Sequence, residues 1–165
     1  AQTPLQKSQN KCRKMAMSCC GQEIPENLPP NPNAKVITVV AAVLIDADNR
    51  ILITQRPEGK AMAGLWEFPG GKIEAGETPE YALCRELREE LDIKTAESCL
   101  YPLSFLSHAY ENFHLLMPVY ALRQWDGIPK LNEHADMKWV TPTELYNYDM
   151  PEADKPLIPV LIEYL

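Results

Sequence analysis

The sequence predicts an α/β domain, with a mixed β-sheet and helices on both faces. Three observations carry this expectation. Val36–Ile45 is an apolar run crowded with β-branched residues, the pattern of a buried strand. Residues 79–91 space their apolar positions at the helical period, behind Thr78-Pro79. Strand-like and helix-like segments are then interspersed to the C-terminus without an internal repeat. A length of 165 residues suits one domain, and a chain of this size buries about two-thirds of its unfolded surface.

Each element has a local reason. Residues 1–33 are polar, aperiodic and end in Pro25, Pro29, Pro30 and Pro32. Such a segment buries too little apolar surface to offset its ordering entropy, so a disordered tail is expected there, with the folded domain over 34–165. Asp46-Ala-Asp-Asn49 is turn chemistry, and Arg50–Arg56 alternates as the hairpin partner of the first strand. Pro57–Gly64 reads as loop. Trp66–Ile73 reads as a short extended piece with a tight turn at Gly70-Gly71. Thr78 is a good N-cap and Pro79 suits the first helical position, so a helix is expected to about Leu91. Strands follow near Leu100–Ala109 and Phe113–Arg123, a turn at Asp126-Gly127-Ile-Pro129, and a short strand at Met137–Val140. Pro142 opens a short helix, and Asp154-Lys-Pro156 caps a last one that runs to Leu165.

Composition narrows the function. Hydrophobic residues make up 45% and charged residues 24%, which is ordinary for a soluble globular protein. The net charge of -7 argues against polynucleotide binding, which needs a basic face. It leaves room for a small anionic ligand if metal ions stand between ligand and protein. Cys12, Cys19, Cys20, Cys84 and Cys99 are odd in number and lack CxxC spacing, so neither a disulfide framework nor a zinc site is expected, and a cytoplasmic protein is. The longest apolar run is too short to span a bilayer. The apolar part of Arg13–Gly21 is too short for a signal peptide. Either Met15 or Met17 could be the natural start.

The acidic charge is concentrated. Residues 67–90 hold Glu67, Glu74, Glu77, Glu80, Glu86, Glu89 and Glu90 against Lys72, Arg85 and Arg88. On a helix that turns about 100° per residue, Glu86, Glu89 and Glu90 share one sector of about 100°. Leu83, Cys84, Leu87 and Leu91 form the core stripe beside it. Solvated acidic faces are common. Here, however, Glu86 repels Glu90 and Glu89 at i,i+4 and i,i+3, a cost of a few tenths of a kcal/mol per pair unless a cation neutralises it. Hard oxygen donors that repel one another suit Mg²⁺ or Mn²⁺. Gly70-Gly71 adds a backbone that a ligand can approach closely.

Together these residues resemble the Nudix box. Gly71, then Glu77, then Arg85-Glu86-Leu87-Arg88-Glu89-Glu90-Leu91-Asp92-Ile93 follow its order and spacing, with Asp92 where the family usually has glycine. Asp is one of the few residues able to take the left-handed conformation that position needs. Ile53-Thr-Gln-Arg56, Leu65–Glu74, Trp125-Asp-Gly127, Trp139-Val140 and Pro151–Pro156 extend the likeness to MutT-type enzymes across residues 35–165.

The resemblance implies an α/β/α sandwich and a Mg²⁺-dependent hydrolase, with Mn²⁺ able to substitute. Its implied substrate is a nucleoside triphosphate, chiefly 8-oxo-dGTP, split to the monophosphate and pyrophosphate. By position it implies that Glu86, Glu89, Glu90 and Glu133, with the main chain at Gly71, hold the metal. Glu86 or Glu133 would be the general base. Arg85 belongs to the catalytic set and pairs with Glu77. Arg56, Glu67, Phe68, Lys72 and Asp154 would contact substrate, and the family usually has Asn where this chain has Asp154. A monomer is expected. The alternatives are another nucleotide (CTP or another pyrimidine triphosphate, a dinucleoside polyphosphate, ADP-ribose) or a non-catalytic module that binds an oxidised base.

Overall fold

A computed structural model describes residues 33–165. The tail expected over residues 1–33 lies, apart from Asn33, outside the described residues, as do Cys12, Cys19 and Cys20. The described chain builds two sheets. The first has the strand order β4-β1-β6-β5, with β1 Lys35–Leu44, β4 Gly70–Lys72, β5 Tyr101–Ala109 and β6 Phe113–Leu122. It is mixed: β1 runs parallel to β6 and antiparallel to β4, and β5 is antiparallel to β6. The second, antiparallel sheet has the order β3-β2-β7, with β2 Ile51–Gln55, β3 Trp66–Glu67 and β7 Asp136–Val140.

β1 divides the interior. Its even residues Val40, Ala42 and Leu44 pack with Leu83, Leu87 and Leu91 of helix α1, Pro79–Leu91. Its odd residues Ala41 and Val43, with Ile45 just past its end, pack with Leu157, Ile158 and Leu161 of helix α2, Leu157–Tyr164. The period-2 alternation of a strand thus serves two helical layers at once. Each fully buried leucine contributes about 2 kcal/mol of transfer free energy.

Two local expectations are corrected. The hairpin between the first two strands shrinks to one bridge, Ile45 to Ile51, and β2 pairs instead with β3 and β7. The reason is that Ile51, Leu52 and Ile53 are all fully buried, so β2 needs apolar cover on both faces. Ile51 and Ile53 join one core and Leu52 the other. The Asp46 turn forms as expected, with Asp46 Oδ1 accepting from the Asp48 and Arg50 backbone N–H groups. Asp154 does not cap α2. Pro156 stands at the N-cap, the Asp154 carbonyl accepts the Leu157 N–H, and the Asp154 side chain is buried elsewhere.

Helix α1 follows its sequence signals closely. Thr78 Oγ1 accepts the Tyr81 N–H at 3.2 Å and Pro79 occupies the first turn. The helix ends at Asp92, left-handed at φ 56°, whose N–H returns to the Arg88 carbonyl. Pro142–Asn147 forms a 3-10 turn, closed by a capping box between Thr141 and Glu144. Cys84 and Cys99 are free, half-buried thiols against the α1 core. Among the described residues, no helix is long and apolar enough to cross a membrane.

Candidate active site

The site forms where β4 meets α1. Pairing of β1 with β4 sets Val40 opposite Gly71 and Ala41 opposite Gly70. Backbone contact excludes a side chain at Gly70, and at Gly71 one would displace the Glu86 carboxylate. A Cβ on Gly70 would lie 2.1 Å from the Val40 carbonyl oxygen, and one on Gly71 would lie 2.3 Å from the Glu86 carboxyl carbon. Backbone and carboxylate therefore meet where no side chain intervenes. The Gly70 N–H also donates to Glu90 Oε2 at 3.2 Å.

Arg85 organises the outer side. It grips Glu77 through two bonds of 2.8 Å, donates to Glu86 at 2.7 Å and to the Lys72 carbonyl at 3.1 Å, and reaches Glu89 at 3.4 Å. The two bonds to Glu77 match the planar guanidinium fork to a carboxylate, and they realise the pairing expected from the sequence. Hydrogen bonding from Arg85 is the main cause that holds the Glu77 carboxyl down at about 2, aided by the Glu74 N–H. The same partners hold Arg85 firmly protonated. The Lys72 side chain is exposed.

The inner side is different. Glu90 is only 8% exposed. Burial pushes its pKa up to about 7, with the charges of Glu86 and Glu67 adding, against the opposing pull of His134 and the Gly70 N–H. A carboxylate buried among carboxylates lacks a full counter-charge, and a hard divalent cation supplies one. The donor chemistry of Glu86, Glu89 and Glu90 thus fits such an ion. As the side chains stand, no group of three or more His, Cys, Asp or Glu among the described residues is gathered tightly enough to enclose one. Glu86 and Glu89 turn to Arg85, and Glu133 pairs with Lys60 at 3.1 Å with half its side chain in solvent.

A second cluster adjoins the first. Arg56 donates to Glu67 Oε2 at 2.5 Å and to the Ala61 carbonyl at 2.7 Å. Asp154 is buried beside them and accepts a backbone hydrogen bond from Phe68. Burial pushes its pKa up to about 7, the Glu67 charge adds, and the Phe68 N–H and Arg56 oppose. The Phe68 ring itself belongs to the core, so only its main chain faces this cluster. The structure therefore brings Arg56, Glu67 and Asp154 together, and Glu86 and Glu90 together at the glycines. It leaves Lys72 and Glu133 toward solvent.

Two residues that sequence reasoning missed join these groups. His134 Nε2 lies 3.3 Å from Glu67 Oε1 and 3.7 Å from Glu90 Oε1, so it spans the two clusters. Burial opposes its imidazolium, but the bond to Glu67 and the charges of Glu90 and Glu67 outweigh that and raise its pKa. Tyr110, at the tip between β5 and β6, accepts from the Ala153 N–H and stacks on Phe113 at 4.7 Å between centroids. Burial, then the charges of Asp154 and Glu152, raise its pKa. A lone His in a polar loop and a Tyr at a hairpin tip carry no periodic signal.

The mixed α/β core thus presents a glycine corner to an acidic helix. Comparison gives the family. A model of the NUDIX domain matches residues 40–159, and the chain belongs to that family, whose hydrolases act on phosphoric anhydrides and generally use a divalent metal. The chain is 39% identical over 126 residues to the CTP pyrophosphohydrolase of Escherichia coli (strain K12), covering 75% of this chain and 90% of that protein. It is 34% identical over 124 residues to the 8-oxo-dGTP diphosphatase of the same organism, covering 75% and 95%. A MutT structure described together with the enzymes of Aliivibrio salmonicida and Vibrio cholerae superposes with a TM-score of 0.67 at 36% identity, covering 79% of this chain and 100% of that one.

Proposed function

We propose that the protein is a Mg²⁺-dependent nucleoside triphosphate pyrophosphohydrolase of the cytoplasm. It converts 8-oxo-dGTP to 8-oxo-dGMP and pyrophosphate, and so keeps oxidised nucleotide out of DNA. The observation that carries the substrate choice is Asp154, buried next to Arg56 and Glu67 with a carboxyl that takes up a proton near neutrality. A protonated carboxyl offers one donor and one acceptor side by side. The 8-oxoguanine edge offers the complement, an O6 acceptor next to an N7–H donor, whereas unmodified guanine presents two acceptors there.

In this reading Glu86, Glu89, Glu90 and Glu133, with the main-chain carbonyl near Gly71, hold Mg²⁺, and Mn²⁺ can replace it. When bound, the metal lowers the pKa of a water and neutralises charge on the departing pyrophosphate. The protein's own groups do the rest. Glu77 fixes Arg85, and Arg85 fixes the carboxylates of Glu86 and Glu89. Glu86 or Glu133 takes the proton of the attacking water. Lys72 faces the phosphates, and Arg56, Glu67 and Asp154 hold the base. Replacing Glu89 or Glu90 by Gln is expected to cut kcat at least ~100-fold with Mg²⁺ present. Wild-type turnover in either variant removes the site assignment.

A second reading is CTP. It is supported by the relative named for that substrate and by chemistry, because an ionised Asp154 would accept from the cytosine N4 amino group. Comparing kcat/KM for 8-oxo-dGTP, dGTP, CTP and dCTP side by side decides between them.

A further inference from the structure

His134 is delivered to its position by backbone, not by its own side chain. The loop before β7 is stitched to the end of α1. Lys130 N–H donates to the Leu91 carbonyl at 2.9 Å, Asn132 N–H to the Glu90 carbonyl at 3.1 Å, and Asn132 Nδ2 to the Glu89 carbonyl at 2.9 Å. One residue past His134, the Ala135 N–H donates to the Gln55 carbonyl of β2 at 2.9 Å. The ring is thus carried between the metal-side helix and the strand that leads to Arg56.

The ring's two nitrogens are treated unequally. The side chain is 5% exposed. Nδ1 is buried without a hydrogen-bond partner among the described residues. A side chain needed only to fill space would avoid that cost, since an apolar residue fills it without stranding a polar atom. The return comes at Nε2, which faces Glu67 Oε1 and Glu90 Oε1 together. The far oxygen of each carboxylate is anchored, Glu67 by Arg56 and Glu90 by the Gly70 N–H. Nε2 is within hydrogen-bond distance of Glu67 at 3.3 Å and at ion-pair distance from Glu90 at 3.7 Å, so its N–H has two arrangements, leaning to one or to the other.

We propose that His134 is a positioning residue that couples the base-binding end of the site to its metal-binding end. A base seated on Arg56 and Asp154 shifts Glu67, and the shared N–H then resets Glu90. This rests on the functional reading above for which end holds the base.

The test measures coupling, not turnover. Mn²⁺ affinity of the full chain is measured by electron paramagnetic resonance with and without saturating 8-oxo-2′-deoxyguanosine or cytidine. Neither nucleoside carries a phosphate, the group through which the triphosphate would reach the metal. In the wild type the nucleoside is expected to change the Mn²⁺ dissociation constant about fivefold or more, with the same factor when nucleoside affinity is read against Mn²⁺. His134→Gln keeps an N–H donor and retains the factor. His134→Leu and His134→Met, two donor-free variants checked for folding by thermal melting, lose it. Equal coupling in all four proteins, or none in the wild type, overturns the proposal. Wild-type hydrolysis of the triphosphate panel is assayed in parallel. Absence of turnover there removes the functional reading, whereas turnover with no coupling in the wild type, or with coupling unchanged in the variants, removes only this inference.

Discussion

At Gly71 a single methyl group decides whether Glu86 can lie against the main chain. The contact would be with the end of a mobile side chain, so Gly71→Ala moves the carboxylate more than it disturbs the fold. Its kcat/KM is expected to fall about 100-fold, with unfolding free energy within about 1 kcal/mol of wild type, checked by Mg²⁺-dependent pyrophosphate release and urea denaturation. Asp154 gives a pH prediction of defined sign. In the proposed function its protonated form supplies the donor to the base, so kcat/KM for 8-oxo-dGTP should decline as pH rises through about 7. Asp154→Asn keeps donor and acceptor at every pH and should remove that decline. At this scale the sequence revealed the helix carboxylates, because spacing on α1 puts them in one sector. It did not reveal His134, whose role comes from a loop held by main-chain bonds that no side-chain pattern encodes.

Helix α1 was legible to within its caps, since capping is local chemistry. Thr78→Ala removes the Oγ1 acceptor and is expected to cost about 1 kcal/mol. Asp92→Gly relieves a left-handed non-glycine residue and should stabilise by about 0.5–1 kcal/mol. Its loss is the exposed ion pair with Lys130, which is worth little. Denaturant melts of both variants check the signs. Strand β2 was the element misread. Its segment looked like the second half of a hairpin because the turn before it is local and formed as expected. Its partners lie far along the chain, and three consecutive fully buried residues demanded a second layer that a two-strand hairpin cannot supply.

For the whole molecule, the buried acids set the pH profile of stability. Asp154 and Glu90 titrate near 7 when folded and near 4 when unfolded. The folded state keeps protons that the unfolded chain releases. That stabilisation is complete below about pH 4 and is lost as pH rises through about 7, on the order of 2–4 kcal/mol per group. Glu77, lowered to about 2, acts in the other direction and loses its contribution as pH falls from about 4.5 toward 2. The urea midpoint should therefore peak near pH 4 to 5 and fall by pH 8. Mg²⁺ should restore part of that fall by binding the folded state alone, and chelation should abolish the recovery. The α/β plan with helices on both faces was readable from strand and helix periods, whereas the split into two sheets was not, because pairing partners leave no local mark. β1 carries no chemistry, yet it fixes the frame in which the chemistry is written. Its two faces serve different helices, and its Val40-Ala41 pair holds Gly70-Gly71 in register. Deleting one residue within 36–44 would exchange the partners of both helices and slip the glycine corner by one place. Relatives should therefore align through this stretch without gaps and vary freely in length at the exposed loop 57–64.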